Sequence, residues 1–181
     1  MGGRVEQLPY YTYKDYVHWE DQWELIEGRR VEQPTAVYEH QIIATRLIVA
    51  FSNKLEDFPK YKVCQPLDYK VTKNTVLQPD MFIADRKPRS KYLDFPPVLI
   101  AEVLSPSTMA RDKMEKFNIY ESQGVLYYLI LSPVIQQVEI YHCENGKYVL
   151  KAKGKDILFT FEFADCRAEI NFGKIWPDDA D

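Results

Sequence analysis

Cysteine is scarce in this chain: there are three, and Cys64, Cys143 and Cys166 lie far apart. They form no CxxC pair, which argues against a zinc site, and their odd number argues against a disulfide framework. The chain also lacks an apolar run of roughly 18 residues and an apolar signal segment at its N-terminus. We therefore expect a soluble protein of the reducing cytoplasm, with no membrane partner.

Positive charge is not in excess either, since the net charge is −4 and the pI is about 5.5. The chain thus lacks the strongly basic character of proteins that bind nucleic acid mainly by charge, although a metal site can recruit phosphate without basic side chains. It also contains no GxSxG, P-loop, HExxH or GxGxxG motif. Serine-nucleophile, NTPase, zinc-protease and dinucleotide chemistries therefore lack their local motifs.

Apolar and aromatic residues are plentiful, at 46% and 14% of the chain. This composition is typical of a globular, sheet-rich protein. A length of 181 residues suits one domain with a substantial core. We expect a single domain over residues 1–181, with flexible ends at 1–11 and 177–181.

The N-terminal third predicts a helix, a hairpin and a second helix. Thr12 and Asp15 have the spacing of a capping box, which favours a short helix from Thr12 to Glu20. The stretch WELIEGRRVE then predicts a hairpin that turns at Glu27 and Gly28. Apolar residues recur at helical spacing from Tyr38 to Asp57, which indicates an amphipathic helix.

The remainder reads mainly as strands around one helix. Three strand-like runs, YKVCQPLDYKV, VLQPDMFIAD and PPVLIAEVL, precede a helix that begins at Ser107 or Thr108 and ends near Gln123. LYYLIL follows, and then QQVEIYH and KYVLKAK, which an Asn-Gly turn joins as a hairpin. This order predicts a mixed α/β sheet with flanking helices, the last of which crosses between two neighbouring strands.

Two acids stand on otherwise apolar strands. Glu102 shares one strand face with Ile100 and Leu104, so it is either buried or on an edge strand that faces solvent. Asp80 opens another apolar run, directly after Pro79, which marks the start of a strand. If the two strands are neighbours, both carboxylates face one cleft and, at about 4 Å, repel by about 4 kcal/mol. Protonation or a cation must relieve this, and hard oxygen ligands select magnesium or manganese.

Lys116 lies at the border of the apolar stripe expected for the last helix, which consists of Ala110, Met114, Phe117 and Tyr120. Glu102 lies roughly 10 Å before the end of its strand, and Lys116 roughly 12 Å into the helix, so a helix that folds back brings them level. Lys116 then either reaches the carboxylates or covers apolar surface with its stem. Asp112, one turn earlier, either pairs with it or is solvated.

Several of these stretches, in this order and spacing, resemble the bacterial Uma-two family. They are WELIEGRRVE, YEHQ, QPD, AEVLSPST and RDKMEKFNIYESQGVLYYLIL, and they cover roughly Tyr13 to Tyr141. That family belongs to the PD-(D/E)XK superfamily. The resemblance implies a restriction-endonuclease-like core with an N-terminal hairpin, and a metal-dependent endonuclease that hydrolyses phosphodiester bonds of nucleic acid, with DNA as the expected substrate.

The resemblance also assigns the catalytic residues. Asp80 and Glu102 would be catalytic and would bind magnesium (or manganese), helped by the Val103 carbonyl. The lysine that the superfamily usually carries two residues after the second acid is replaced by Leu104, and Lys116 would take over its role. Glu24 matches a recurrent acid of the first hairpin and would be a further catalytic residue; alternatively, it is a solvent-facing strand residue.

His40 and Gln78 are the expected substrate-binding residues. His40, from the Glu-His pair of YEHQ, would act as a base or orient a phosphate, or it merely caps its helix. Gln78, like Gln65, would be a polar wall residue.

A rival interpretation is a catalytically inactive nuclease-like fold that binds nucleic acid or a protein. The acidic pI and Leu104 favour it. Whether the protein forms a homodimer stays open, because the aromatic residues Trp19, Tyr92 and Trp176 suit either an interface or ordinary packing.

Overall fold

A computed structural model describes residues 9–177 of the chain. The flexibility expected for residues 1–8 and 178–181 therefore lies outside the described residues. Of the remaining expected ends, Tyr11 donates its backbone N–H to the carbonyl of Gly28, 2.8 Å away.

Residues 9–177 form short strands and a few helical segments. The α-helices are α1 (Tyr13–Tyr16), α2 (Tyr38–Lys54) and α3 (Phe117–Ser122). A π-helical segment, Arg111–Lys116, lies directly before α3, and a 3-10 turn spans Phe172–Lys174. The strands are β1 (Trp23–Ile26), β2 (Arg29–Glu32), β3 (Lys62–Cys64), β4 (Tyr69–Thr72), β5 (Thr75–Leu77), β6 (Met81–Ala84), β7 (Leu99–Val103), β8 (Tyr127–Ser132), β9 (Gln137–Glu144), β10 (Lys147–Gly154), β11 (Leu158–Glu162) and β12 (Arg167–Asn171).

Within residues 9–177 the strands form three sheets. A six-stranded sheet has the order β10-β9-β8-β7-β6-β3, a four-stranded sheet the order β2-β1-β5-β4, and β11 pairs with β12. Only β7 and β8 pair in parallel in the larger sheet, and the π-helical segment and α3 cross between them. The predicted mixed α/β sheet and its crossover helix are confirmed.

The six-stranded sheet is covered on both faces. On one face, α2 buries Ile43, Leu47 and Phe51 against the sheet and the β11–β12 hairpin. On the other face, Ile100 and Tyr120 belong to a second cluster, which includes residues of the four-stranded sheet. This covering on both faces explains why every residue of β6, β7 and β8 is buried and why these strands are mostly apolar.

Two of the predicted strands are each divided between the two larger sheets. The first run separates into β3 and β4, with Pro66 in the gap, and the second into β5 and β6, with Pro79 in the gap. Proline cannot donate to a strand ladder, so each run breaks there instead of continuing. The expectation of one unbroken strand in the first run was therefore wrong, whereas the strand start that Pro79 marks in the second run is confirmed. The chain passes from one sheet to the other after β3 and returns after β5.

Turn chemistry sets the two tight hairpins. Glu27 and Gly28 both have positive φ, at 50° and 82°, as do Asn145 and Gly146, at 51° and 77°. Such two-residue turns match the twist of antiparallel strands, and both hairpins were predicted from them. The β11–β12 hairpin had no such signal and was not predicted.

Candidate active site

The pairing of β6 with β7 places Asp80 beside Glu102. The two strands are antiparallel and Met81 pairs with Ala101, so Asp80, the residue before β6, lies opposite Glu102. β7 is an interior strand, between β6 and β8, and Glu102 is 2% exposed. The alternative of a solvent-facing edge strand is therefore wrong.

Asp80 is held from two directions. Its Oδ2 accepts a hydrogen bond from the backbone N–H of Val103 at 2.7 Å and lies 3.0 Å from Nε2 of His40. Burial lowers the pKa of His40, but the hydrogen bond and charge of Asp80 outweigh it, so that the net pKa is raised. His40 makes no capping contact with α2, so the capping interpretation is wrong. Its Nδ1 is buried and has no hydrogen-bond partner among residues 9–177.

The ammonium group of Lys116 is surrounded by carboxylates. Its Nζ lies 2.9 Å from Glu24 Oε1, 3.1 Å from Glu102 Oε1 and 3.4 Å from Asp112 Oδ1. Burial lowers the pKa of Lys116, but these carboxylates raise it well above its ordinary value, so the amine stays protonated. The alternative in which Lys116 merely covers apolar surface is therefore wrong. Asp112 pairs with Lys116 instead of being solvated.

The helical face that meets the sheet is polar, contrary to the expected apolar stripe. Its buried residues are Thr108, Asp112, Lys116 and Tyr120, whereas Met114 and Ala110 are exposed. The π-helical segment widens the turn so that residues four apart stay aligned on one side. The sheet supplies part of its hydrogen bonding: the hydroxyl of Tyr128 donates to the backbone carbonyl of Asp112 at 3.0 Å, whereas Asp112 Oδ1 is buried without a hydrogen-bond partner among residues 9–177.

The carboxyl group of Glu102 is buried among charged and polar groups. Burial raises its pKa well above the ordinary value; Lys116 opposes this shift, and the charges of Asp80, Asp112 and Glu24 add to it. Tyr120 donates its hydroxyl to Glu102 Oε1 at 2.8 Å. The sequence marked Tyr120 only as an apolar residue of the helix, and this contact could not be read from its spacing.

Glu24 lies behind Lys116 and not in the cleft. It is fully buried on β1, and its Oε1 accepts from the backbone N–H of Gln78 at 2.8 Å as well as contacting Lys116. Its Oε2 lies 3.4 Å from the guanidinium of Arg111, a residue for which the sequence offered no signal. The interpretation of Glu24 as a solvent-facing residue is wrong.

Most of the side chains described above, although not Glu24, line a cleft of about 570 Å³. Among its lining residues are His40, Gln78, Asp80, Glu102, Asp112 and Lys116, with further glutamines at Gln22, Gln33, Gln41 and Gln65. Gln33 was not expected here, and its Nε2 is buried without a hydrogen-bond partner in the described part of the chain. The cleft therefore offers unused hydrogen-bond donors beside a cluster of acids.

The donors available for a divalent cation are few. Within residues 9–177 no group of three or more His, Cys, Asp or Glu side chains is placed to hold a metal ion. Asp80 and Glu102 nevertheless each keep one oxygen, Oδ1 and Oε2, that accepts no hydrogen bond from these residues. Two carboxylates fit magnesium, which keeps several waters and is completed by substrate phosphate. Leu104 is buried and apolar, so Lys116 provides the only ammonium among the residues lining this cleft.

The comparisons with known proteins agree with this architecture. Residues 10–158 match the Uma2 family, which is described as "Putative restriction endonuclease". The chain belongs to the Uma2 family. A curated relative, the uncharacterized protein slr1290 of Synechocystis sp. (strain ATCC 27184 / PCC 6803 / Kazusa), is 28% identical over 146 residues, which are 75% of each chain.

A solved structure supports the Uma2 assignment at the level of fold. It is a "putative nuclease belonging to DUF820" from Anabaena variabilis ATCC 29413, with a TM-score of 0.75 and 14% identity over 92% of this chain and 97% of that one. The predicted restriction-endonuclease-like fold and the family resemblance are thereby confirmed. Among the described residues, no helix has the length and apolar character needed to cross a membrane.

Proposed function

We propose that this Uma2 protein is a metal-dependent endonuclease that hydrolyses phosphodiester bonds of nucleic acid, with DNA as its substrate. The observation that supports this most is the placement of Asp80 opposite Glu102, with Nζ of Lys116 3.1 Å from Glu102, at the wall of an open cleft. Acids from two neighbouring strands and an amine from the next helix form the donor set that phosphodiester hydrolysis needs.

Asp80 and Glu102 would hold magnesium or manganese through the two oxygens that the protein leaves uncommitted, helped by the Val103 carbonyl. A bound magnesium ion supplies Lewis-acid polarisation of a phosphoryl oxygen and lowers the pKa of a bound water. His40 orients Asp80 through its Nε2, 3.0 Å from Oδ2, and would help to orient a phosphate from the wall of the cleft. Gln78 lies in the wall of the cleft as a substrate-binding residue.

Lys116 acts as a cation in this mechanism and not as a base. Its raised pKa keeps the amine protonated at neutral pH, so it stabilises negative charge that develops on the phosphoryl group. Glu24 contributes as a positioning residue, since one of its oxygens holds Lys116 and the other faces Arg111. The ammonium is therefore fixed in place before substrate binds.

The test is cleavage of plasmid DNA in the presence of magnesium by Asp80→Ala and Glu102→Ala variants that melt as cooperatively as the parent. Both should lose nearly all turnover, because each removes a carboxylate that would bind the ion. Glu169→Ala, which removes an exposed acid from β12, serves as the control and should cleave normally. Unchanged cleavage by either cleft variant would refute the assignment.

The second candidate is an inactive nuclease-like module that binds nucleic acid or protein. Leu104 at the usual lysine position and the absence of a three-residue metal cluster among residues 9–177 favour it. Two measurements separate the candidates: oligonucleotide binding in the presence of a chelator, and analysis of cleavage products in the presence of magnesium or manganese. Binding without any nucleotide product would establish the inactive module.

A further inference from the structure

A second cleft, of about 320 Å³, shares the lining residue Gln78 with the catalytic cleft. We call it the aromatic cleft, because five aromatic residues line it: Tyr13, Tyr16, Trp19, Trp23 and Tyr92. All five are half-buried, in contrast to the third tryptophan, Trp176, which is 4% exposed and belongs to the core. The aromatic cleft is thus a surface feature that the catalytic mechanism does not use.

The aromatic rings form one continuous row. Tyr92 contacts Tyr13 edge to face, with ring centroids 5.2 Å apart, and Tyr13 stacks on Tyr16 at 6.1 Å. Tyr16 then contacts Trp19 at 5.4 Å, and Trp19 contacts Trp23 at 6.5 Å. Such a row presents a ring face to a planar ligand wherever no protein group covers that face.

Cations lie over both ends of the row. The guanidinium of Arg30 is 3.7 Å from the Trp23 ring centroid and 4.9 Å from that of Trp19, so a base would stack on the opposite face of Trp19. Nζ of Lys70 is 4.1 Å from the ring centroid of Tyr13 and 5.0 Å from that of Tyr92. Lys91 lines the same cleft. The two lining acids are Asp21 and Asp68, and Asp68 already accepts hydrogen bonds from Tyr16 and Gln78. Rings flanked by cations suit a ligand that is both planar and anionic, as a nucleotide is.

Gln78 connects the aromatic cleft to the catalytic cleft, since it lines both. It follows the end of β5, and its Nε2 donates to Asp68 Oδ1 at 2.7 Å. Asp80 lies only two residues further along the chain, a span of about 7 Å in extended backbone. A nucleic-acid strand that is bound at Asp80 can therefore extend past Gln78 to the aromatic rings.

We propose that the aromatic cleft binds an unpaired nucleobase of the nucleic-acid substrate by stacking. This rests on the proposed function, and it specifies the substrate class as nucleic acid with a single-stranded stretch beside the bond that is cut. Stacking on aromatic side chains is tolerant of base identity because every base has a π face. The protein therefore prefers single strands, overhangs or gaps to intact duplex, with little sequence selectivity at this position.

The experiment is a titration of the full-length protein with short oligonucleotides in a chelator, followed by fluorescence anisotropy. Trp19→Ala should weaken single-strand binding by roughly 5- to 150-fold, the loss expected for one stacked base. Trp19→Phe should recover most of the affinity because it keeps a ring. Leu158→Ala, which truncates an exposed apolar residue on the separate β11–β12 hairpin, is the control and should bind as the parent does.

Tryptophan fluorescence of the unaltered protein provides a second measurement that needs no variant. A single-stranded oligonucleotide should quench the emission of Trp19 and Trp23, whereas an abasic strand with the same number of phosphates should not. Equal quenching by both strands, or equal losses of single-strand and blunt-duplex affinity in Trp19→Ala, overturns the stacking site. Quenching by a proline-rich peptide but by no oligonucleotide also overturns it and assigns the aromatic cleft to a protein partner.

Failure of this inference is distinguishable from failure of the proposed function. If the parent cleaves DNA with magnesium while Trp19→Ala binds and cleaves single strands unchanged, only the stacking site is refuted. If the parent neither binds nor cleaves any nucleic acid, the proposed function and the stacking site fall together.

Discussion

Nζ of Lys116 lies 3.1 Å from Oε1 of Glu102, and each residue is 2% exposed. The pair joins β7 to the helical region that follows it, across the interface between the sheet and its crossover. A single ammonium here also contacts Glu24 and Asp112, so one positive charge offsets several negative ones. The pair is therefore both a structural contact and the cationic part of the candidate site.

Replacing the cation should damage stability and activity together. We expect Lys116→Met to lower the free energy of unfolding by about 3–5 kcal/mol, because it leaves buried carboxylates without a partner. Cleavage should be lost even where the variant is folded. Lys113→Met is the matched control: Lys113 is more exposed, and its partner Glu139 keeps a second cation, Lys153, so its loss should cost about 1 kcal/mol or less. Urea titration measures both, and equal stability of the two variants would contradict the burial argument.

Glu24→Gln tests whether Glu24 acts through Lys116. The amide keeps an acceptor for the backbone of Gln78 but removes a charge that raises the pKa of Lys116. We expect activity to fall about 10- to 100-fold, as for other groups that orient a site residue, with the alkaline limb of the pH–rate profile moved to lower pH. Glu27→Gln, on the exposed turn of the same hairpin, should leave the profile unchanged. A uniform loss at every pH would indicate a purely structural role.

Magnesium affinity should rise with pH. Burial and neighbouring acids raise the pKa of Glu102, so its carboxyl group holds a proton at higher pH than an ordinary glutamate does. A cation must displace that proton, and binding therefore weakens as the pH falls through the raised pKa. Calorimetry in two buffers of different protonation enthalpy should detect proton release that Glu102→Gln abolishes. An affinity independent of pH would rule out Glu102 as a ligand.

Glu139 should stabilise the fold in a pH-dependent way. Burial raises its pKa, but hydrogen bonds from Tyr141, Lys113 and Lys153 outweigh this and lower the net value. A lowered pKa contributes stability above the ordinary value of 4.5 and loses it as the pH falls through the folded-state pKa. Glu139→Gln should therefore cost about 1 kcal/mol at pH 7 and converge with the parent in acid. Thermal melts between about pH 3 and about pH 8 measure this. A stability difference between variant and parent that stays constant over this range would refute it.

Local chemistry was enough to predict much of the fold. The turn pairs at Gly28 and Gly146 and the apolar spacing of α2 act within a few residues, so a sequence pattern reveals them directly. The division of two strands between sheets depends on where distant partners lie. A proline such as Pro79 marks the break but does not say that the strand beyond it joins another sheet.

The candidate site was predictable to the extent that its residues look out of place. Glu102 interrupts an apolar strand and Asp80 follows a proline, so both attract notice. Glu24 and Tyr120 resemble ordinary hairpin and helix residues, and only the approach of separate elements makes them partners of Lys116 and Glu102. The π-helical segment has no local signature either, which is why Ala110 and Met114 were expected to be buried, although Tyr120 was correctly placed in the core.

The π-helical segment makes chain length as restrictive as residue identity at this position. Each residue of an α-helix advances the side-chain direction by about 100°. Winding the same residues as a regular α-helix would turn Thr108 and Asp112 away from Lys116 and Tyr120, because the wider π-helical turn accommodates the extra residue that keeps all four on one side. An insertion of one exposed residue beside Met114 would likewise separate these four side chains without altering any of them.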